Sequence, residues 1–242
     1  MYLVKEQELK HKRRWSIIRL CLYCLLLGVA CFSLAKVATG LLLTSDGKSD
    51  GKNAVISKRY IVIDPGHGGE DSPGCVYGGI LERDITLELA LRIKDELVNR
   101  GYDVLMTREV DETVTLEERA EKVNKSGADL CISFHLNAHD DASIHGIETW
   151  FNPDTNSRSS ALAEYIQQSI VESTKGKDRG TYSDTTLVMI REVLIPSCLV
   201  EVGFLSNDEE REKMTTEDYR EKITRGIIDG VEQYFKRYPD KR

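Results

Sequence analysis

From Tyr60 onward, short apolar runs alternate with stretches whose apolar residues recur at helical spacing, and this alternation constrains the fold more than any other feature of the chain. Tyr60–Asp64 (YIVID), ended by Pro-Gly, reads as a buried strand. Asp84 opens a helix carrying Leu87, Leu91, Ile93 and Leu97, and Gly101 closes it. Tyr102–Thr107 is the next strand, and Thr115 with Glu118 makes a capping box for a helix running to about Ser126. Asp129–His135 and Gly146–Phe151 read as strands, Ser159–Thr174 as a helix, and Thr186–Ile190 and Ser197–Val202 as strands. Thr216–Phe235 is a closing amphipathic helix with Tyr219, Ile223, Ile227 and Val231 on one face. The pattern predicts one α/β domain over residues 59–238, its central, mostly parallel sheet flanked by helices and preceded by an N-terminal hydrophobic segment. In such sheets ligands bind beyond the carboxyl ends of the strands.

The chain ahead of this domain has a different character. Residues 1–15 form a basic segment expected to stay in the cytoplasm, residues 16–35 are apolar, and residues 36–58 are a polar, glycine-containing tether. Leu20 to Ala35 is uncharged but short of the about 20 residues a bilayer-crossing helix needs. Trp15 to Ala35 reaches that length only if Arg19 snorkels toward the headgroups. The basic flank puts the N-terminus inside and everything after Lys36 outside. Ser33-Leu34-Ala35 offers small residues suited to a signal peptidase, so the segment reads as a transmembrane anchor or a cleaved signal, with the anchor favoured. Either way the domain is extracytoplasmic.

Charge narrows the partners. The first nineteen residues carry net +4, so of the total of -7 the other 223 residues hold -11. An acidic domain repels phosphate backbones, which excludes nucleic acid as a partner. Cys75, Cys131 and Cys198 are scattered without CxxC spacing and imply no disulfide framework; Cys131 and Cys198 lie in apolar runs and read as core residues.

Three groups fall where the fold would place chemistry. His67 follows the first strand in Asp64-Pro65-Gly66-His67-Gly68-Gly69, a glycine run without the Lys-Ser/Thr pair of a phosphate-binding loop. Glu82 stands at the entrance to the first helix, and His135 closes the third strand, on the same face as Cys131 and Ser133. Singly, His67 reads as a solvated loop residue and Glu82 as a carboxylate placed against a helix dipole. Together, two imidazoles and one carboxylate are the ligand set of a hydrolytic zinc site, with a fourth position left for water. The donors are scattered, and spacing alone leaves this open. Glu201 ends an apolar strand, where an unpaired carboxylate is costly, so it needs either a partner such as Arg191 or a task such as general base. His139 and His145, in a polar stretch, read as solvated, and Arg108, Asp111 and Arg119 as members of structural ion pairs.

The runs IVIDPGHGGEDSPG, GGILERD, TREVD, TLEERAEKVN, SFHLNA, GIETWF and IPSCLVEVGFLSN closely resemble the zinc-dependent N-acetylmuramoyl-L-alanine amidases of the amidase-3 family, over about residues 60–236. The resemblance implies an α/β fold, a peptidoglycan substrate, and hydrolysis of the amide joining N-acetylmuramic acid to L-alanine. By motif position it implies His67, Glu82 and His135 as ligands of Zn2+ and Glu201 as the catalytic glutamate, with Arg191 and Asn137 lining the site. One hydrophobic segment and no wall-binding module resemble the spore-cortex, germination-specific subtype, whose action leads to muramic-δ-lactam. That layout implies an accessory activator protein, membrane attachment through the N-terminal segment, and a place in the forespore intermembrane space. Two readings compete with it: a catalytically silent peptidoglycan-binding scaffold, and a zinc peptidase cutting within the stem peptide.

Overall fold

The computed structural model describes residues 58–239 except 71 and 73; the basic segment, the hydrophobic segment at 16–35 and nearly all of the tether lie outside the described residues. The main sheet contains β1 (Tyr60–Pro65), β4 (Asp103–Met106), β5 (Leu130–Asn137), β6 (Ile147–Phe151), β7 (Asp178–Ser183) and β8 (Ser197–Phe204), in the order β4-β1-β5-β8-β6-β7. Pairing is parallel throughout except between β6 and β8. A two-stranded antiparallel hairpin, β2 (Val76–Tyr77) with β3 (Ile80–Leu81), leads into the first helix. The helices are α1 (Glu82–Asn99), α2 (Leu116–Ser126), α3 (Ser159–Thr174), α4 (Val188–Arg191), α5 (Asp208–Met214) and α6 (Glu217–Arg237). No helix among the described residues is long and apolar enough to cross a membrane.

The period of two along β1 and β5 decides which helices cover which face. Ile61, Ile63, Ile132 and Phe134 join the larger core with α1, α3 and α6, whereas Val62 and Cys131 join a smaller one with Ala120 and Val123 of α2 and Met189 of α4. Both faces of these central strands are therefore buried, as parallel sheets require. The apolar side of α1 is Ile85, Leu89, Ile93 and Leu97, each at most 5% exposed, with Leu87 and Leu91 half-buried. At α2 the Thr115–Glu118 capping box forms as expected, and Gly127 ends the helix in the left-handed region at φ 71°.

One expected strand is a turn and a short helix instead. Residues 186–190 follow Asp184, whose Oδ1 accepts from the N–H groups of Thr186 at 2.6 Å and Leu187 at 2.8 Å. That side-chain-to-backbone pairing starts the helical turn of α4 and competes with an extended conformation. The sheet's edge is supplied earlier, by the polar run Asp178–Ser183, which has no apolar alternation to announce it.

Helices α3 and α6 approach closely at two glycines. A Cβ at Gly226 would lie 2.6 Å from Ile170 Cα, and one at Gly230 would lie 2.9 Å from Ile166 Cα. Backbone cannot yield there as a side-chain tip could. In an exposed helix, replacing Gly with Ala stabilises by about 1 kcal/mol; Gly226→Ala should instead destabilise by about 2 kcal/mol through overpacking, read as a lower urea midpoint with an unchanged m-value.

Candidate metal centre

The chain leaves β1 through Pro65-Gly66 and places His67 in the left-handed region, at φ 61°. Two glycines clear room around it. A Cβ at Gly66 would fall 2.4–2.7 Å from atoms of the His135 ring, and one at Gly74 would fall 2.5 Å from Glu82 Oε2 and 2.8 Å from His67 Cδ2. The first helix begins at Glu82, two residues earlier than the periodicity suggests, so Glu82 stands in its first turn. The loop after β1, the first turn of α1 and the end of β5 thus deliver three groups to the carboxyl edge of the sheet.

They meet there. Glu82 Oε1 lies 3.1 Å from His67 Nε2 and 3.1 Å from His135 Nδ1, and the ligand atoms of all three residues lie within 4.8 Å of one another. For comparison, donors on a tetrahedral ion with bonds of about 2.0–2.1 Å stand about 3.3 Å apart. Two imidazole nitrogens and one carboxylate oxygen so placed could hold a metal ion, and as a three-donor set they fit zinc with a coordination position open. The imidazoles meet edge to face at 4.9 Å. His67 Nδ1 is 3.0 Å from Ser72 Oγ, a second-nitrogen contact that fixes ring orientation.

Glu82 is 2% exposed, and burial opposes its ionisation. The hydrogen bonds and charges of His135 and His67 outweigh that, holding the carboxyl well below the usual range. Two backbone groups add to this: Leu136 N–H donates to Oε1 at 3.0 Å and Cys75 N–H to Oε2 at 2.8 Å. The same carboxylate acts on Cys75, whose thiol is pushed up to about 12 by burial and by the charge of Glu82.

Beneath the His67 loop sits a buried cradle of two arginines. Arg108, 1% exposed, donates to the carbonyls of Pro65 (3.1 Å), Gly66 (2.9 Å), Arg83 (2.9 Å) and Val110 (3.1 Å). Arg119 donates to Pro65 O at 2.6 Å and to His67 O, and pairs with Asp64 Oδ1 at 2.8 Å. Asp64 also accepts from Thr107 Oγ1 and Ser133 Oγ, each at 2.5 Å. Burial resists ionising Asp64, but Arg119 and the two hydroxyls hold its pKa below the ordinary value. Arg108 has no carboxylate of its own; burial and the neighbouring Arg119 charge bring it down to about 10.

Glu201, on β8, stands in register with His135 on one side and Glu148 of β6 on the other. Its Oε2 is buried without a hydrogen-bond partner among the described residues. Burial, then the carboxylates of Glu82 and Glu148, push its pKa well up. The pairing with Arg191 considered from sequence is not formed. Arg191 is exposed on α4, donating to Glu192 Oε1 at 2.8 Å and Thr186 O at 3.1 Å, because residues 186–190 turn instead of continuing a strand. Asn137 does reach the area, donating to Glu148 Oε1 at 2.6 Å, while Arg179 pairs with Glu148 Oε2 at 2.7 Å. Glu148 and Arg179 were not singled out from sequence. A glutamate inside the apolar run Ile147–Phe151 carries the same burial cost that draws attention to Glu201. His139 and His145 are exposed, as expected, and His139 Nδ1 accepts from Asp141 N–H at 2.9 Å.

A helix-flanked sheet with an open three-donor set beyond its strand ends has the layout of a metal-dependent hydrolase. The family model described as N-acetylmuramoyl-L-alanine amidase, Amidase_3, matches residues 61–233, and the chain belongs to this family of peptidoglycan amidases. It is 33% identical over 194 residues to the germination-specific N-acetylmuramoyl-L-alanine amidase of Bacillus subtilis, covering 74% of this chain and 81% of that one. Among solved structures it is similar to the N-acetylmuramoyl-L-alanine amidase of Clostridium difficile 630, with TM-score 0.70 and 33% identity over 74% of this chain and 97% of that one. It is also similar to the CwlD amidase of Clostridioides difficile in complex with the GerS lipoprotein, with TM-score 0.71 and 29% identity over 74% and 99%.

The Asp64–Arg119 pair generates a pH prediction. Because the folded-state pKa of Asp64 is depressed, its ionised form contributes stability above the ordinary carboxylate value and loses it as pH falls through the lower folded value. Asp64→Asn should cost about 3–5 kcal/mol at pH 7, by leaving Arg119 buried and unpaired. It should also make the acid-side decline shallower, as measured by denaturant titrations from pH 7 down to about 3.

Proposed function

We propose that residues 59–238 form a catalytic domain that hydrolyses the amide between the lactyl group of N-acetylmuramic acid and L-alanine, with zinc held by His67, Glu82 and His135. The observation that carries this reading is the convergence of those three donors beside Glu201, whose buried Oε2 has no hydrogen-bond partner among the described residues. Zinc, when bound, supplies Lewis acidity toward water and toward a carbonyl oxygen. Glu201 takes a proton from the attacking water as its oxygen bonds to the lactyl carbonyl carbon. It then hands the proton to the alanine nitrogen as the C–N bond breaks, leaving a carboxylic acid and a free amine, which become carboxylate and ammonium once the acid's proton passes to the amine. A carboxyl pushed up by burial and by Glu82 and Glu148 is suited to returning a proton. Positive charge among the three donors favours the ionised form needed to accept one.

The narrower biological reading rests on similarity. Likeness to a germination-specific amidase supports action on the spore cortex, exposing muramic acid for conversion to muramic-δ-lactam. Likeness to an amidase solved with a lipoprotein supports an accessory lipoprotein as partner. The segment at 16–35 serves in this reading as an anchor holding the domain outside the cytoplasm, in the forespore intermembrane space. Arg191 donates to Glu192 and Thr186 and is assigned no proton-transfer step in this reading.

Glu201→Gln should keep one metal per chain by elemental analysis while lowering kcat at least about 100-fold; wild-type turnover would refute the assignment. Glu82→Ala should lose the metal. Mass spectrometry of digested peptidoglycan should show free L-alanine amino termini and unsubstituted muramic acid, whereas cuts within the stem peptide would favour a peptidase.

A further inference from the structure

The row His135–Glu201–Glu148 runs across three strands on one face of the sheet. Two residues along each strand, the next row on that face is Ser133–Leu199–Trp150–Tyr182. From strand spacing and rise, the Trp150 Cα lies about 8 Å from that of Glu201. Trp150 and Tyr182 belong to neither hydrophobic core cluster. Their rings lie 5.0 Å apart at 31°, and Tyr182 is 39% exposed. On this face α2 and α4 supply Ala120, Val123 and Met189 to the smaller core, with Val62 of β1 and Cys131 of β5, and that core includes neither aromatic. Tyr182 is locked in place, its hydroxyl donating to Arg179 O at 2.6 Å. On the edge strand beside Glu148, two residues before Tyr182, a Cβ at Gly180 would meet nothing within 4 Å among the described residues.

We propose that Trp150 and Tyr182 form a stacking subsite for sugar rings of the glycan strand on the Glu148 side of the centre, so that the enzyme favours polymeric glycan over an isolated muropeptide. This deepens the amidase reading and rests on it. The aliphatic face of a pyranose presents polarised C–H groups, which match the negative face of an aromatic ring. The charge around the pair selects the ligand further. Glu201 and Glu148 occupy the adjoining row, and the nearby cation, Arg179, is engaged by Glu148 and by the ring of Phe204 at 5.0 Å. An anionic wall polymer would be repelled there, whereas neutral N-acetylated sugars would not.

The competing role is purely structural, a cross-strand aromatic pair that stabilises an edge strand. Two measurements separate them. In a full-length Trp15→Phe background, where emission comes from Trp150, metal-depleted protein should show a saturable emission change with the hexamer of N-acetylglucosamine and none with teichoic acid. In the second measurement, Trp150→Ala and Tyr182→Ala should each lower the ratio of kcat/KM on long glycan strands to kcat/KM on N-acetylmuramoyl-L-alanyl-D-isoglutamine by about tenfold, through KM. Trp150→Phe should restore most of the ratio. A ratio unchanged in both alanine variants, or an absent response to the hexamer, would overturn the subsite while leaving the amidase reading intact. A response to teichoic acid alone would assign the surface to an anionic polymer and overturn it equally. Cleavage of neither substrate by the wild-type enzyme would refute the amidase reading, and the emission titration would still decide the platform.

Discussion

A carboxylate taken out of water must be compensated several times over, and Glu82 is the group on which this structure makes that demand. It is buried at the first residue of α1, facing two imidazoles and two backbone N–H groups. The partners arrive from three places: His67 from the loop after β1, His135 and Leu136 from β5, Cys75 from the segment before the hairpin. Satisfying this one side chain therefore fixes four pieces of backbone relative to each other. The arginine cradle performs the matching task underneath, gathering the carbonyls of residues 65, 66, 67 and 83 into one hydrogen-bonded set.

The three carboxylates Glu82, Glu201 and Glu148 are not equally provided for. Glu82 has its imidazoles, and Glu148 has Arg179 and Asn137, but Glu201 Oε2 has no hydrogen-bond partner among the described residues. Buried polar atoms left in this state are rare, and they concentrate where a missing ion or a reaction accounts for them. Negative charge gathered at one sheet edge with a single unpaired member is what a site awaiting a cation and a substrate would display.

Much of this was legible in the sequence, for identifiable reasons. Strands β1 and β5 are continuous apolar runs, since both their faces are buried, and the capping box of α2 is a local pairing encoded four residues at a time. Spacing alone left the donor set open, since His67 singly reads as a solvated loop residue; the resemblance of the motifs is what named His67, Glu82 and His135 together. Other features were out of reach. Strand β7 is a polar, exposed edge held by its neighbour and not by a pattern of its own, and the turn at Asp184 overrides the β-branched residues that follow it. Arg191 was drawn toward the site by that misplaced strand. The role of Arg108 depends on carbonyls from distant segments, and no local signal carries such contacts.

Topology explains why the candidate centre forms where it does. Strand β8 has a parallel neighbour, β5, and an antiparallel one, β6, so it lies where the sheet changes direction. In a parallel pair the carboxyl ends coincide, which brings His135 level with Glu201. Across the antiparallel pair it is the start of β6 that meets the end of β8, which brings in Glu148. A wholly parallel sheet would set the far end of a strand there and a loop beyond it. The reversal instead continues a polar row along the sheet surface, from the His67–Glu82–His135 donors through Glu201 to Glu148. It also carries the next row outward to Trp150 and Tyr182. The same reversal that sets Glu201 beside Glu148 thus opens a lateral path along which an extended polymer could lie.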